Sequence, residues 1–240
     1  AYHLGRDHPR PPKTDREIQP NTCMKIALHI PVWKRLKLTR ACYVGLQRSI
    51  KEFTEEGFEL EPWIGWTEPE HQALAQEFGF RNVFCENENL GDKNQQLYEA
   101  MKAEPWDWFM QLGSDDFFLP GVAKVYKEHM KEHDFAGFRQ IYFLRAKERD
   151  GTLVQGYPCG AGRYMSREIV DACPVLWTGR RRGLDGMSND AVWNNTKKRY
   201  FNMPGCYIAD VKTEVQISEY HRYDKDMYYL DEVVPEAHLI

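Results

Sequence analysis

Beyond a polar stretch at residues 1–23, apolar positions along the chain follow two periods in turn. Residues 25–32 form a short apolar run of strand character, and residues 38–53 repeat their apolar positions at helical spacing. Together they make one βα unit, and the pattern recurs. Residues 58–66 read as a second strand, 68–78 as a helix closed by Gly79, and 82–85 as a third strand. A helix over 90–103 and a strand over 106–112 follow, then a helix over 120–133 with Pro120 suited to its first turn. Successive βα units predict a largely parallel central sheet flanked by helices.

After Asp134 the texture changes. Residues 135–144 predict one longer strand, Asp150-Gly151 a turn, and 152–157 the returning strand of a hairpin. Short helices near 166–173 and 188–197, a strand near 206–211 and a polar, Tyr-rich tail complete the chain, without internal repeat. The expectation is therefore a single α/β domain over 24–240. Its βα half spans 24–133 and a smaller mixed half spans 134–240. The arm at 1–23, with Pro9, Pro11, Pro12 and Pro20, is expected to be extended. Met24 is a candidate natural start, which would make the arm a remnant or a processed leader.

Composition narrows the function classes. At 240 residues and 42% hydrophobic content the chain can bury a continuous core, and a net charge of −4 argues against a general nucleic-acid binder. Arg180-Arg181-Arg182 and Lys197-Lys198-Arg199 nevertheless form local basic clusters: solvated helix ends, or a surface for an anionic acceptor such as DNA. The six cysteines are scattered with neither zinc-ligand spacing nor a disulfide framework. Reduced thiols, no apolar run of membrane-spanning length and no secretion signal together lead us to expect a soluble, cytoplasmic protein, in the host cytoplasm if viral.

The most informative chemistry lies in Gly113-Ser114-Asp115-Asp116, directly after the apolar run 106–112. Ligands bind outside the carboxyl ends of strands in open α/β sheets. Two adjacent carboxylates there repel each other and lose hydration unless a cation or ligand hydroxyls satisfy them. A divalent metal carrying a diphosphate would do so. A solvated turn capping the next helix is the plain alternative.

Three segments in this order resemble nucleotide-sugar glycosyltransferases of the GT-A fold, particularly inverting family 2. They are Ile30-Pro31-Val32-Trp33-Lys34-Arg35, Asn87-Glu88-Asn89-Leu90-Gly91-Asp92-Lys93-Asn94 and Gly113-Ser114-Asp115-Asp116, and the resemblance runs over about 25–116. It implies a GT-A-like, Rossmann-like sheet and an activity moving a sugar from a nucleoside diphosphate sugar, foremost a UDP-sugar, to a hydroxyl acceptor. It also implies Mn²⁺ or Mg²⁺ as cofactor. Asp116 corresponds to the direct metal ligand and Asp115 to a ribose or outer position, although Ser-Asp-Asp replaces the family's Asp-x-Asp and the two roles can exchange. Some enzymes of the fold add a late histidine to the metal, here His221; a surface or packed histidine is the alternative.

The residues themselves allow further contacts. Pro31, Trp33 and Arg35 follow the first strand, where a nucleobase can be held, though Trp33 suits packing equally. Asn89, Gly91, Lys93 and Asn94 surround a helix start whose free N–H groups favour an anion; alternatively Asn89 is simply a cap and Lys93 lies on a solvated face. Glu68 falls near the nucleotide edge, and Arg163, beside Gly160 and Gly162, is placed to line the donor sugar or the acceptor. His29, in an apolar strand, reads as a core histidine. For the base that takes the acceptor proton the candidates are Asp185, in a glycine-flanked loop, and Asp190, at a helix start; turn and first-turn roles weigh against both. Two rival functions remain, a nucleotidyltransferase acting on sugar phosphates and a non-catalytic carbohydrate- or nucleic-acid-binding module.

Overall fold

The computed structural model describes residues 23–155, 159–180, 182–213 and 227–240; the arm at 1–22 and His221 lie outside them. The first strand, β1 (Met24–Pro31), shows why the sheet forms where it does. Its even-numbered residues Ile26, Leu28 and Ile30 pack with Tyr43, Leu46 and Phe53, while Ala27 joins Leu97, Tyr98 and Phe109 on the opposite face. A strand buried on both faces belongs at the centre of a parallel sheet. α1 (Leu36–Glu55) covers one face with Leu38, Cys42, Leu46, Ser49 and Phe53 at three- and four-residue steps.

β2 (Phe58–Trp66), α2 (Pro69–Glu77), β3 (Arg81–Phe84), α3 (Leu90–Lys102) and β4 (Trp108–Gln111) complete the βα series, with β1 paired in parallel to both β2 and β4. Next come β5 (Asp116–Phe118), α4 (Val122–Met130), β6 (Phe135–Phe138), β7 (Gln140–Arg145), β8 (Asp150–Gln155) and β9 (Tyr164–Ser166). The remainder is α5 (Arg167–Ala172), α6 (Leu184–Thr196), β10 (Phe201–Met203), β11 (Ile208–Lys212), β12 (Tyr228–Tyr229), α7 (Leu230–Val233) and a 3₁₀ turn at Ala237–Leu239. The main sheet has the order β10-β6-β9-β4-β1-β2-β3, and a second sheet has the order β12-β8-β7-β11-β5. β9 enters the main sheet antiparallel to both of its neighbours, so the mostly parallel sheet turns mixed on that side. No helix among the described residues is long and apolar enough to cross a membrane.

Four local expectations change. The single strand expected over 135–144 is divided at Arg139: β6 joins the main sheet and β7 the second, because the chain crosses between sheets there. The hairpin exists, but Asp150 and Gly151 belong to β8, and the reversal falls before them, with Arg149 left-handed at φ 58°. Gly151 is needed in the strand: a Cβ there would lie 2.2 Å from the Phe143 carbonyl oxygen. Pro120 precedes α4 rather than opening it, since Gly121 at φ 87° intervenes. α6 begins at Leu184, so Asp185 stands in a helical first turn and not in a loop.

His29 is fully buried, as a core histidine should be. Its Nε2 lies 3.0 Å from the Asn94 carbonyl oxygen, which only accepts, so Nε2 carries the proton; the ring stacks on Trp177 at 5.3 Å. Nδ1 has no hydrogen-bond partner among the described residues, and burial lowers the pKa to about 4, the Asn94 carbonyl opposing it. An unfolded histidine titrates near 6.5 and binds protons that the folded one refuses. Stability is therefore complete above pH 6.5 and falls as pH drops toward 4, by about 3 kcal/mol in all. Urea unfolding midpoints measured from pH 7 to pH 4.5 should fall more steeply for the wild type than for His29→Gln; parallel slopes would contradict this account.

Candidate active site

The carboxyl ends of β1 and β4 open into a cleft of about 920 Å³, walled on its far side by Ile141, Phe143 and Val154 of the second sheet. The loop after β1 sends Pro31, Val32 and Trp33 along one rim. It then reverses through two consecutive left-handed residues, Lys34 (φ 52°) and Arg35 (φ 49°). Such conformations cost about 1–3 kcal/mol each. The reversal aims the Arg35 guanidinium at the acidic turn, where it donates to Asp115 Oδ2 at 2.6 Å and to Ser114 Oγ at 3.1 Å.

Asp116 opens β5 rather than a free loop, and antiparallel pairing sets it directly across from Asp210 of β11. Like charges opposed across strands are destabilising. Carboxylate oxygens of Asp115, Asp116 and Asp210 all lie within 4.8 Å of one another. Lys212, on the same strand face as Asp210, places Nζ 2.7 Å from Asp210 and 3.6 Å from Asp115. Gly113 lets the turn close: its N–H donates to Asp116 Oδ2 at 2.5 Å, and a Cβ there would lie 2.6 Å from that same oxygen.

Electrostatics separate the three acids. Burial opposes ionisation of Asp115, but Lys212 and Arg35 overcome it and hold its pKa below the usual range. Asp116 goes the other way: burial first, then Asp210 and Asp115, push it well up. Burial raises Asp210 to about 6 against the pull of Lys212, and Lys212 itself stays protonated because Asp210 and Asp115 outweigh its burial. Among the described residues Asp210 Oδ1 is buried without a hydrogen-bond partner, and the Asp116 carboxylate accepts from the Gly113 N–H. Hard oxygen donors with free lone pairs suit Mg²⁺ or Mn²⁺, so the residues fit a divalent ion.

The α3 start is built differently from an open anion site. Asn89 caps the helix, its Oδ1 accepting from Asp92 N at 2.8 Å. The Gly91 N–H donates to the Arg180 carbonyl at 2.9 Å, so it is not free for a phosphate. Lys93 is fully buried rather than solvated, donating to the Val32 carbonyl and, at 2.8 Å, to Thr67 Oγ1. Burial lowers its pKa to about 8, with Glu68 opposing. Asn89, Lys93 and Asn94 line the cleft, and Asn94 Oδ1 is buried without a hydrogen-bond partner among the described residues. Glu68 stands at the N-terminal edge of α2, off the cleft lining and electrostatically coupled to Lys93 and His71.

On the opposite side Asp185 lines the cleft from the first turn of α6 and lies against Gly160, whose Cβ would come 2.2 Å from its Oδ1. Arg163 is not at the cleft surface. It lies fully buried beneath α6, bonded to Ser188 Oγ and 3.7 Å from Asp185. Asp190 is exposed further along the helix and does not line the cleft. Cys159 joins the two sides: burial, then Asp185, Asp210 and Asp116, raise its pKa to about 12. In the basic clusters, Arg182 reaches the cleft mouth, Lys198 pairs with Asp134, and Lys197 and Arg199 flank the exposed ring of Trp193.

Asp210 and Lys212 were not among the residues expected from sequence. The signal was present in Ile208-Ala209-Asp210-Val211-Lys212, where period-two alternation puts two opposite charges on one face of an otherwise apolar strand.

No protein-family model matches the chain, and no curated protein matches it in sequence. Solved structures do match. S. aureus TarS 1–349 in complex with UDP-GlcNAc is 13% identical at a TM-score of 0.54, the match covering 80% of this chain and 60% of that one. The same fragment with UDP gives 0.53 at 12% identity, over 79% of this chain and 61% of that one. Glucosyl-3-phosphoglycerate synthase from Mycobacterium tuberculosis, in complex with phosphoglyceric acid, gives 0.50 at 13% identity, over 79% and 73%. The fold is thus GT-A-like, and the chain spans about three fifths of the TarS fragment.

The Arg35–Asp115 pair is largely buried, at 14% and 15% side-chain exposure. Removing one partner of such a pair costs about 3–5 kcal/mol because the other charge is stranded. Arg35→Met should show that loss in urea unfolding, and adding Asp115→Asn should restore most of it; simple additivity of the two losses would show that the pair is not coupled.

Proposed function

We propose that the chain is a metal-dependent glycosyltransferase that moves a sugar from a nucleoside diphosphate sugar, foremost a UDP-sugar, to an acceptor hydroxyl. The observation that carries this reading is the three-carboxylate cluster that β5 and β11 build just past the carboxyl end of β4, open to a cleft of donor size. The fold's likeness to TarS, which holds UDP-GlcNAc, supports it. Asp116 and Asp210 would hold the Mn²⁺ or Mg²⁺, which when bound neutralises charge on the departing diphosphate. Asp115, fixed by Arg35, faces the ribose side, and the rim of Pro31 and Trp33 takes the base. Asn94 offers its unpaired amide oxygen nearby.

Across the cleft Asp185 accepts the proton of the attacking hydroxyl. Arg163 orients it from below and Gly160 gives it room, so Asp185 is preferred to Asp190. The acceptor carries a hydroxyl, with saccharides and DNA as the two classes to try first, the latter on account of Arg182 and the Trp193 surface.

Incubation with a panel of nucleoside diphosphate sugars and Mn²⁺ should release nucleoside diphosphate from at least one donor, and Asp116→Ala should slow that release by about 100- to 1000-fold. If no donor binds or is hydrolysed and Asp116→Ala behaves as wild type, the reading fails; turnover of a nucleoside triphosphate with a sugar phosphate would select a nucleotidyltransferase instead. Asp185→Asn should lower kcat for transfer by about 100-fold or more while leaving UDP affinity in calorimetry unchanged, and an unchanged kcat would remove Asp185 from the chemistry.

A further inference from the structure

We infer that Lys212 is a built-in cation for the diphosphate of the donor, acting beside the divalent ion. This rests on the donor reading above and names a residue of the same site. Three observations meet on Lys212. Its side chain is only 8% exposed, yet it lines the cleft together with Asp115, Asp116 and Asp210. Its Nζ is 2.7 Å from Asp210, 3.6 Å from Asp115 and 4.7 Å from the centre of the Phe143 ring. An ammonium has three donors, and of these contacts Asp210 alone is within hydrogen-bonding distance. The other basic residue of the cluster, Arg35, is committed to Asp115 and Ser114.

Charge decides whether this lysine is a counter-ion or something more. With all groups ionised, the three carboxylates against Arg35 and Lys212 leave one excess negative charge, and a divalent ion turns that to one positive. Without Lys212 the same metal would bring the site only to neutrality. The lysine therefore sets the sign of the field that an arriving diphosphate meets, in a part-buried place where screening is weak. A neutral side chain on β11 would relieve burial equally well but would leave the diphosphate facing acids. A charged hydrogen bond to a phosphate oxygen, placed on a strand and pre-oriented by Asp210, is worth about 10- to 100-fold in affinity.

The test is calorimetry on the full chain with two probes, UDP and inorganic pyrophosphate, each in Mn²⁺ and in EDTA. In Mn²⁺ the wild type should bind both probes, and in EDTA, where the site is left with an excess negative charge, it should bind them more weakly. In Mn²⁺ Lys212→Gln should lose about 10- to 100-fold in affinity, and Lys212→Arg should keep most of it. Should Lys212→Gln fail to fold, as judged by its melting curve, Lys212→Met, which keeps the packing on Phe143, is measured in its place. Equal binding of wild type and the charge-removed variant in Mn²⁺ overturns the role of Lys212 and leaves the donor reading standing. Failure of both probes in both conditions overturns the donor reading as well.

Discussion

The architecture of the cleft depends on one unfavourable juxtaposition, the pairing of Asp116 with Asp210 across β5 and β11. Two buried carboxylates facing each other in a ladder would normally separate the strands or take up protons. Here both carboxyls do hold protons more readily than usual, and cations close the site from two directions: Lys212 pairs with Asp210 along β11 itself, and Arg35, from the loop that leaves β1, holds the adjoining Asp115. Each demands something of the backbone. Lys212 requires the two-residue alternation that brings it to the face of Asp210, and Arg35 requires consecutive left-handed residues. Gly113 completes the set, since any side chain there would collide with the acids it helps to turn. Three residues from separate segments thus answer to a single repulsion.

The βα half was legible in the sequence because its signals are local and mutually consistent. Strand, helix and stop residues from 25 to 112 agree with one another, and β1, buried on both faces, reads as the near-continuous apolar run that a central parallel strand needs. The acidic turn was legible for a related reason, as paired charges at the end of an apolar run are hard to explain by burial alone. What escaped depended on long-range pairing. The break at Arg139 reflects which sheet each side of it joins, and nothing in the run from Phe135 to Leu144 marks that choice. Asp210 and Lys212 escaped because their meaning comes from register with β5, contributed by a distant part of the chain.

Lys93 and Gly91 teach the complementary lesson. Both stand at a helix start that composition and position make suitable for an anion, yet the fold uses them internally: Gly91 to admit the 178–180 backbone, and Lys93 to tie the loop after β1 to Thr67. A buried lysine bound to a carbonyl organises the rim of the cleft from behind. Arg163 does the same on the other side, beneath Asp185. Basic residues near this cleft divide into those that shape its walls and those that face its interior, and their number in sequence does not separate the two.

The two sheets are joined through very short crossings. β4 ends at Gln111 and β5 begins at Asp116; β6 ends at Phe138 and β7 begins at Gln140. Two such tethers, one strand apart in each sheet, leave little slack for the sheets to swing apart like the leaves of a book. The cleft is in effect a welded joint, with its acids set in the weld. Tied at two points, the sheets resist opening like a hinge, so access to the cleft falls first to the loops along its rim.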